Sequence, residues 1–522
     1  MSTSKLFLGM IAATALTCVV TAQNFSPGYY NLSGGGPTRL QVDLNRDGIP
    51  DILTNNISYG TEALVSDAST GKFTTHPYSF RDSSPTYAPV AAGDFNGDSN
   101  ADVIFYNYTG GSQLFYLAYG DGKGNFSSIV PIPNLPNIVT GTQYYVLAQA
   151  ADFNSDHRAD LAFAYIAPTG NSYTVYVVLY LNNGNGFSNA GTIFTYPNPS
   201  GATSVLNDQT PALDFLIGDF NAEGHADLAL RILHSTPSNP VQQDANLFVL
   251  YGDGKGHFAQ KAIFTGRVSD DIFSAADMND DGRTDLICVD GLDNSAHIFY
   301  GAPSRTFKEK ILSSAVTRRN ILWFPPQIAD FDGNGLKDVA FVAQEPHTDA
   351  PNYGVTVLHQ TSLGAFVIGQ YSDIDTFTTY SGWNPFYGLS LGDYNRDGKA
   401  DVAAFTTTDA NSHPNSAALM LNQAGTPVGH CPPAFGIHVC SSTSTATNPV
   451  SFSFSSTALY PLRKMEIWVD NVKRSETYHV FGQQGFSDVS LNLTPGVRKI
   501  DLFAVPFDGV TVTKRTYYLT VQ

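Results

Sequence analysis

Short apolar runs of roughly four to eight residues, rich in β-branched and aromatic side chains and cut by Gly, Pro, Asn and Asp, recur along most of the chain. No long stretch carries an apolar period of 3.6 residues, so strands are expected to dominate and helix content to be low. The runs come in sets of four. In one set Pro89 to Ala92 lead into an acidic cluster and Val103 to Tyr106 leave it. Gln113 to Ala118 then climb to a Gly-rich turn, and Phe126 to Val130 close the unit. That turn recurs as YGDGKGNF (Tyr119 to Phe126), NNGNGF (Asn182 to Phe187) and YGDGKGHF (Tyr251 to Phe258), with degenerate copies at Tyr300 to Phe307 and Gly364 to Phe366. A tight Gly turn ending on an aromatic, between β-prone runs, predicts a hairpin.

The acidic cluster returns seven times: DLNRDGIPD from Asp43, DFNGDSNAD from Asp94, DFNSDHRAD from Asp152, DFNAEGHAD from Asp219, DMNDDGRTD from Asp277, DFDGNGLKD from Asp330 and DYNRDGKAD from Asp393. The starts lie 51, 58, 67, 58, 53 and 63 residues apart, the length of a propeller blade. Four-strand units repeated around an axis predict an all-β fold with a seven-bladed β-propeller, which leaves only short, protected sheet edges. The seventh unit runs out after the strand near Ala417 to Leu421, before a fourth strand. The Phe-led segment Asn24 to Tyr30 is therefore expected to fill that place and lock the ring.

Oxygen side chains at positions 1, 3 and 5 of the cluster converge as they do at the start of an EF-hand loop, position 7 adds a backbone carbonyl and position 9 closes the shell. The candidate metal ligands are Asp43, Asn45, Asp47, Ile49 and Asp51 in the first loop, and Asp94, Asn96, Asp98, Asn100 and Asp102 in the second. The third offers Asp152, Asn154, Asp156, Arg158 and Asp160, and the fourth Asp219, Asn221, Glu223, His225 and Asp227. In the fifth they are Asp277, Asn279, Asp281, Arg283 and Asp285, in the sixth Asp330, Asp332, Asn334, Leu336 and Asp338, and in the seventh Asp393, Asn395, Asp397, Lys399 and Asp401. An oxygen-only, flexible set favours calcium, up to seven ions, over octahedral magnesium or N/S-seeking zinc. Position 6 calls for a residue free to take positive φ, which Gly48, Gly224, Gly282, Gly335 and Gly398 satisfy. Ser99 and His157 do not, so the second and third loops are expected to be weaker, and Glu223 carries an extra methylene that shifts its ligand. Asp, Asn and Gly also dominate ordinary hairpin turns, but seven copies keep both terminal Asp residues. Any bound ions are expected to staple the blades, since no loop departs clearly enough to mark a catalytic metal.

The formal net charge of −18 comes from 28 basic and 46 acidic residues, 21 of them at the ligand positions; seven divalent ions would offset 14 of the 18 net negative charges, so metal-site chemistry accounts for most of the net acidity. No basic stripe is present, which excludes nucleic acid as a partner. Lys5, the apolar run Leu6 to Val20 and Val20-Thr21-Ala22 before Gln23 read as a secretory signal peptide (1–22), with lipoprotein processing at Cys18 as the alternative. No segment predicts a membrane span. A secreted or cell-surface monomer is expected. Cys431 and Cys440 are close enough to form a small disulfide loop, and Cys288 reads as a core residue.

Residues 24–425, through their seven Asp-rich loops and Gly-Phe turns, resemble FG-GAP/VCBS repeat proteins, whose best-known relative is the integrin α propeller. The resemblance implies a propeller over 23–424 and calcium in the loops. Integrin propellers carry such loops in only some blades, whereas every unit here has one, and leg domains, membrane span and tail are missing. After a Pro/Ser/Thr-rich linker at 425–449, residues 450–522 show short alternating strands: Ser451 to Phe454, Lys464 to Val469, Val489 to Leu493, Lys499 to Val505 and Thr511 to Val521. With the Leu493 to Ile500 turn-to-strand passage and the Asp508-Gly509 turn they resemble a small bacterial Ig-like β-sandwich, without a Cys-Trp-Cys spacing.

No zincin motif, nucleophile elbow, Walker loop or dinucleotide fingerprint occurs, and no catalytic residue is assigned. Lengthened connections at Pro131 to Tyr145, Tyr196 to Pro211, Leu233 to Gln243, Pro346 to Asn352 and Tyr371 to Tyr387 hold aromatics suited to stacking on sugars or anchoring proteins. Trp383 is the candidate surface platform, with Tyr371, Phe377, Tyr380, Phe386 and Tyr387 nearby in sequence; Tyr144 and Tyr145 are expected in the core. The reading is a secreted calcium-binding recognition or adhesion module for an extracellular glycan or protein. A polysaccharide lyase or hydrolase on the same scaffold, and a plain surface scaffold, remain the competing classes.

Overall fold

A computed structural model describes residues 25–522 apart from 33–38, 57–59, 68–71, 79–86, 108–113, 134–135, 137–145, 170–171, 198–212, 237–238, 267–271, 291–293, 314–319, 322–324, 345–352, 374–385 and 407–414. The signal-like stretch and Tyr144, Tyr145, Phe377, Tyr380 and Trp383 lie outside the described residues, as do the side chains of Tyr371, Phe386 and Tyr387.

Apolar alternation and continuous apolar runs both end as strands, and the described residues hold no helix. Between Phe25 and Asn422 they form seven antiparallel sheets. The second sheet shows the unit: Tyr87–Gly93, Asp102–Asn107, Phe115–Gly120 and Phe126–Ile132, hydrogen-bonded in sequence order. Its second strand reads DVIFYN and is buried along nearly its whole length, because neighbouring sheets cover both of its faces. The outer strand of the third sheet, Phe187–Pro197, is mostly exposed and carries Ser, Asn and Thr. In the sixth sheet the first strand is broken into Asn320–Ile321 and Gln327–Ala329, both paired with Asp338–Gln344.

The first strands of successive sheets touch in ring order: Arg39–Val42, Tyr87–Gly93, Val146–Ala151, Leu213–Gly218, Ile272–Ala276, Gln327–Ala329 and Phe386–Gly392. The circle closes where Gln41 Nε2 donates to Leu391 O and to Tyr394 Oη at 3.3 Å. Phe25–Leu32 pairs antiparallel with Asn415–Asn422 and completes the last sheet, the place expected for it. The first described strand and the last strand of the ring thus share one blade of an all-β propeller.

Residues 425–449, read from composition as a linker, behave otherwise. Gly436–Val439 pairs with Val450–Thr457, and Thr445–Ala446 pairs with Thr513–Val521, so both belong to the sheets of a C-terminal sandwich. Cys431 and Cys440 are disulfide-bonded within this stretch, with Cα atoms 5.5 Å apart. A short segment poor in apolar residues is held by covalent and ladder bonds where a core could not hold it. The sandwich packs Phe452, Phe454, Ile467, Ile500, Leu502 and Leu519 between its two sheets. It also packs on the ring: Leu459 and Tyr460 join the apolar cluster of the first three sheets, and Phe481 and Phe486 that of the sixth and seventh.

Candidate metal centres on the acidic loops

Each acidic loop joins the first strand of a sheet to the second, so all seven lie at one end of the ring. They share one conformation. Position 6 has positive φ in every copy, at 91° for Gly48, 84° for Gly224 and Gly282, 89° for Gly335 and 79° for Gly398, but also at 65° for Ser99 and 68° for His157. Position 4 does the same throughout, at Arg46, Gly97, Ser155, Ala222, Asp280, Gly333 and Arg396, a feature the sequence pattern does not mark. The cause is the first Asp, whose carboxylate accepts the N–H of positions 5 and 6: in the fifth loop Asp281 N–H at 3.1 Å and Gly282 N–H at 2.8 Å. The third loop repeats this with Asp156 and His157 N–H groups at 3.1 and 2.6 Å.

The ninth Asp is wholly buried in all seven loops: Asp51, Asp102, Asp160, Asp227, Asp285, Asp338 and Asp401. One oxygen takes the N–H of position 2 and the other the N–H at the end of the third strand. For Asp102 these are Phe95 at 3.0 Å and Gly120 at 2.9 Å; for Asp285, Met278 at 2.9 Å and Gly301 at 2.8 Å. The ninth Asp is therefore a bracket between loop and hairpin, whatever else it binds. The Gly-rich turns serve the next contact outward, from unit to unit. Gly124 N–H donates to Leu44 O at 3.1 Å and Gly256 N–H to Phe153 O at 2.9 Å, each reaching the acidic loop of the preceding unit.

Burial raises the carboxyl pKa values across these loops. Asp43 is pushed up to about 7 by desolvation and then by Asp47 beside it. Asp102, Asp160, Asp330 and Asp393 also reach about 7, Asp277 about 6 and Asp285 about 8, each chiefly through burial. Asp51, Asp227 and Asp401 lie well above the usual carboxylate range for the same cause. Desolvated carboxylates around oxygen-only donors fit a hard divalent cation, which would relieve that cost.

The fit is not uniform. In the first, second, third, fifth and seventh loops the position 3 amide donates to the position 5 carboxylate, as Asn96 does to Asp98 at 3.1 Å, and that carboxylate accepts the position 7 N–H. The sixth loop swaps the two residues, and Asn334 donates to Asp332 at 3.2 Å. Its ninth Asp also meets a buried imidazole, His359 Nδ1 at 3.1 Å, which raises the His359 pKa although burial alone would lower it. In the fourth loop Asn221 Nδ2 is buried without a partner and Glu223 Oε1 turns toward Arg305 Nη2 at 3.5 Å. Asp219 pairs instead with Arg463 of the sandwich. His157 is exposed and His225 packs beside Gly254; neither approaches a reacting group.

The sandwich covers this end of the ring. Tyr460 Oη accepts the Asp94 N–H at 3.0 Å, Asp508 Oδ2 that of Asp152 at 3.3 Å and Gln484 Oε1 that of Asp393 at 2.7 Å. Thr457 Oγ1 donates to Gly48 O at 2.6 Å, and Lys337 Nζ to Tyr478 O at 2.5 Å. His479 Nδ1 stands 3.9 Å from Asp330 Oδ2. These contacts lie between 91 and 409 residues apart in sequence, and no motif announces them.

A β-propeller whose units each carry one acidic nine-residue loop defines the class. The family described as FG-GAP-like repeat matches residues 43–105, 94–163, 277–341 and 330–404, so the chain carries four FG-GAP-like repeats. No curated protein matches the sequence. Among solved structures the chain is similar to an arginine-substituted mutant of AofleA from Arthrobotrys oligospora. That likeness has 10% identity and a TM-score of 0.35, over 67% of this chain and 92% of that one. It is also similar to a fructofuranosidase from Schwanniomyces occidentalis complexed with fructose, at 10% identity and a TM-score of 0.27, over 69% and 87%. At those scores neither likeness bears on function. No helix of the described residues is long and apolar enough to cross a membrane.

Proposed function

We propose that the chain is a secreted, seven-bladed propeller whose acidic loops bind calcium as structural staples, and that it serves as an extracellular recognition or adhesion module for a glycan or protein partner. The observation that carries the reading is the covering of the loop end by the sandwich. The first-position N–H groups of the second, third and seventh loops are taken by Tyr460, Asp508 and Gln484. Cations at that end would brace loops against the sandwich, not meet a substrate. The opposite end of the ring, away from the sandwich, is then the surface left for a partner.

The test incubates the mature protein with a polysaccharide panel in calcium and in chelator, scoring both retention and released fragments. Calcium-dependent retention without fragments supports the reading and names the ligand class. Fragments make the protein an enzyme and overturn it; neither retention nor fragments overturns the glycan form of the reading. Chelation is expected to lower the melting temperature and calcium to restore it, and indifference to chelator would refute the cation.

A further inference from the structure

We propose that the fourth acidic loop holds no metal and is instead the socket that latches the C-terminal sandwich to the ring, with the Arg463 guanidinium in the place a cation takes in its sister loops. Arg463 lies on Leu462–Val469, a central strand of the sandwich, and its Nη1 pairs with Asp219 Oδ2. Asp219 is fully buried and the Arg463 side chain is only 11% exposed. The pair is therefore a desolvated one, in which either partner alone would be left uncompensated.

The loop keeps the backbone of its sisters, but its fifth-position side chain has left the ligand set. The fifth-position residue is the one Glu among the seven loops, and its longer side chain reaches toward Arg305 on the next unit's hairpin. The bond from the third-position amide to the fifth-position carboxylate, present at 3.1–3.4 Å in the first, second, third, fifth and seventh loops, is missing. Asn221 Nδ2 is left buried and unpartnered as a result. Asn221 Oδ1 still accepts the Glu223 N–H at 3.0 Å, but the fifth-position carboxylate is turned away and the first-position carboxylate carries a guanidinium that would repel a divalent ion at close range. The sandwich also grips this loop from a second side. Gly509 sits so close to Gly224 that a Cβ on it would lie 2.5 Å from the Gly224 carbonyl oxygen. Gly509 has φ of 66° and follows Asp508, which accepts the third loop's Asp152 N–H. One turn of the sandwich therefore spans two neighbouring loops, and Arg463 pins it.

The test has two arms on the full chain. The first counts bound calcium by equilibrium dialysis and rests on the calcium reading above. Asp277→Asn is expected to lower the count by one, and Asp219→Asn to leave it unchanged; loss of one ion with Asp219→Asn would overturn the proposal. The second arm uses no metal count. Arg463→Met is expected to raise amide exchange at Glu223, Gly224 and the Asp508 turn at least tenfold, in calcium and in chelator alike, with partial rescue by Arg463→Lys. Unchanged exchange there overturns the latch. If the wild-type chain binds no calcium, the calcium reading fails while the exchange arm still decides the latch.

Discussion

Replacing Asp102 separates the two roles that each ninth-position Asp can hold. Asp102 is wholly buried, and its two oxygens accept the N–H groups of Phe95 and Gly120 at 3.0 and 2.9 Å. Asp102→Ala leaves both donors buried without a partner, at a cost of about 1–3 kcal/mol each, or roughly 2–6 kcal/mol together. Some of that is returned. The carboxylate is desolvated enough for its pKa to reach about 7, so its removal also removes an unfavourable buried charge. The net expected loss is therefore in the lower half of the range, ~2–3 kcal/mol. Asp98→Ala in the same loop is the matched control: Asp98 is exposed, and its carboxylate accepts the Asn100 N–H at 2.8 Å and the Asn96 amide at 3.1 Å, donors left facing water when it is removed. Its loss should cost about 0.5 kcal/mol in the absence of calcium. Urea unfolding of both variants in chelator and in calcium provides the assay. In chelator only Asp102→Ala should be strongly destabilised; in calcium both should lose the staple of that loop. Equal costs in chelator, within about 0.5 kcal/mol, would refute the bracket.

Three further outcomes follow from the same geometry. Ser99→Gly and His157→Gly should each raise stability by ~0.5 kcal/mol, because left-handed backbone costs a non-glycine residue about 1–2 kcal/mol and glycine's extra unfolded-state freedom returns part of that; a lowered urea midpoint would contradict the argument. In chelator, stability should fall as pH rises from about 4 to about 8, since Asp43, Asp102, Asp160, Asp330 and Asp393 at about 7 and Asp285 at about 8 hold protons that the unfolded chain releases near 3.8. The melting temperature should be higher at pH 5 than at pH 8, with calcium shrinking the gap, and the opposite slope would sink the explanation. Deleting Phe25–Leu32 strips Asn415–Asn422 of its partner and opens the ring, so the whole propeller should melt earlier; an unchanged melting temperature would show that closure contributes nothing.

The loops and strands were legible because their signals are local. Nine residues contain the whole acidic pattern, and alternation or apolar runs mark strands wherever one or both faces are buried. The truncated last unit and the Phe-led N-terminus pointed to each other for the same reason. The left-handed backbone at position 4 was not legible, since Arg46, Ser155, Ala222 and Arg396 show no common side-chain preference. Two N–H groups bound to the first Asp impose that conformation on whatever residue stands there. Nor was the bracket legible: the second donor to each ninth Asp is a backbone N–H 15 to 25 residues away, on another strand, and a backbone donor leaves no mark in the sequence.

The covering sandwich changes what the loops can mean. Read alone, seven acidic loops are seven exposed places where a cation could meet a ligand. In the folded chain Tyr460, Arg463, Tyr478, Gln484 and Asp508 reach five different loops from one module, and Leu459, Phe481 and Phe486 bury apolar surface between them. A catalytic cation keeps a coordination position open to substrate, whereas a structural one is closed by protein. Closure by a second domain therefore favours the structural role. It also ties the stability of the sandwich's seat to the state of the loops beneath it. Chelation should then loosen the seat at the first, second, third, sixth and seventh loops while the Arg463 contact persists, so that dissociation of the sandwich begins away from the fourth loop and ends there.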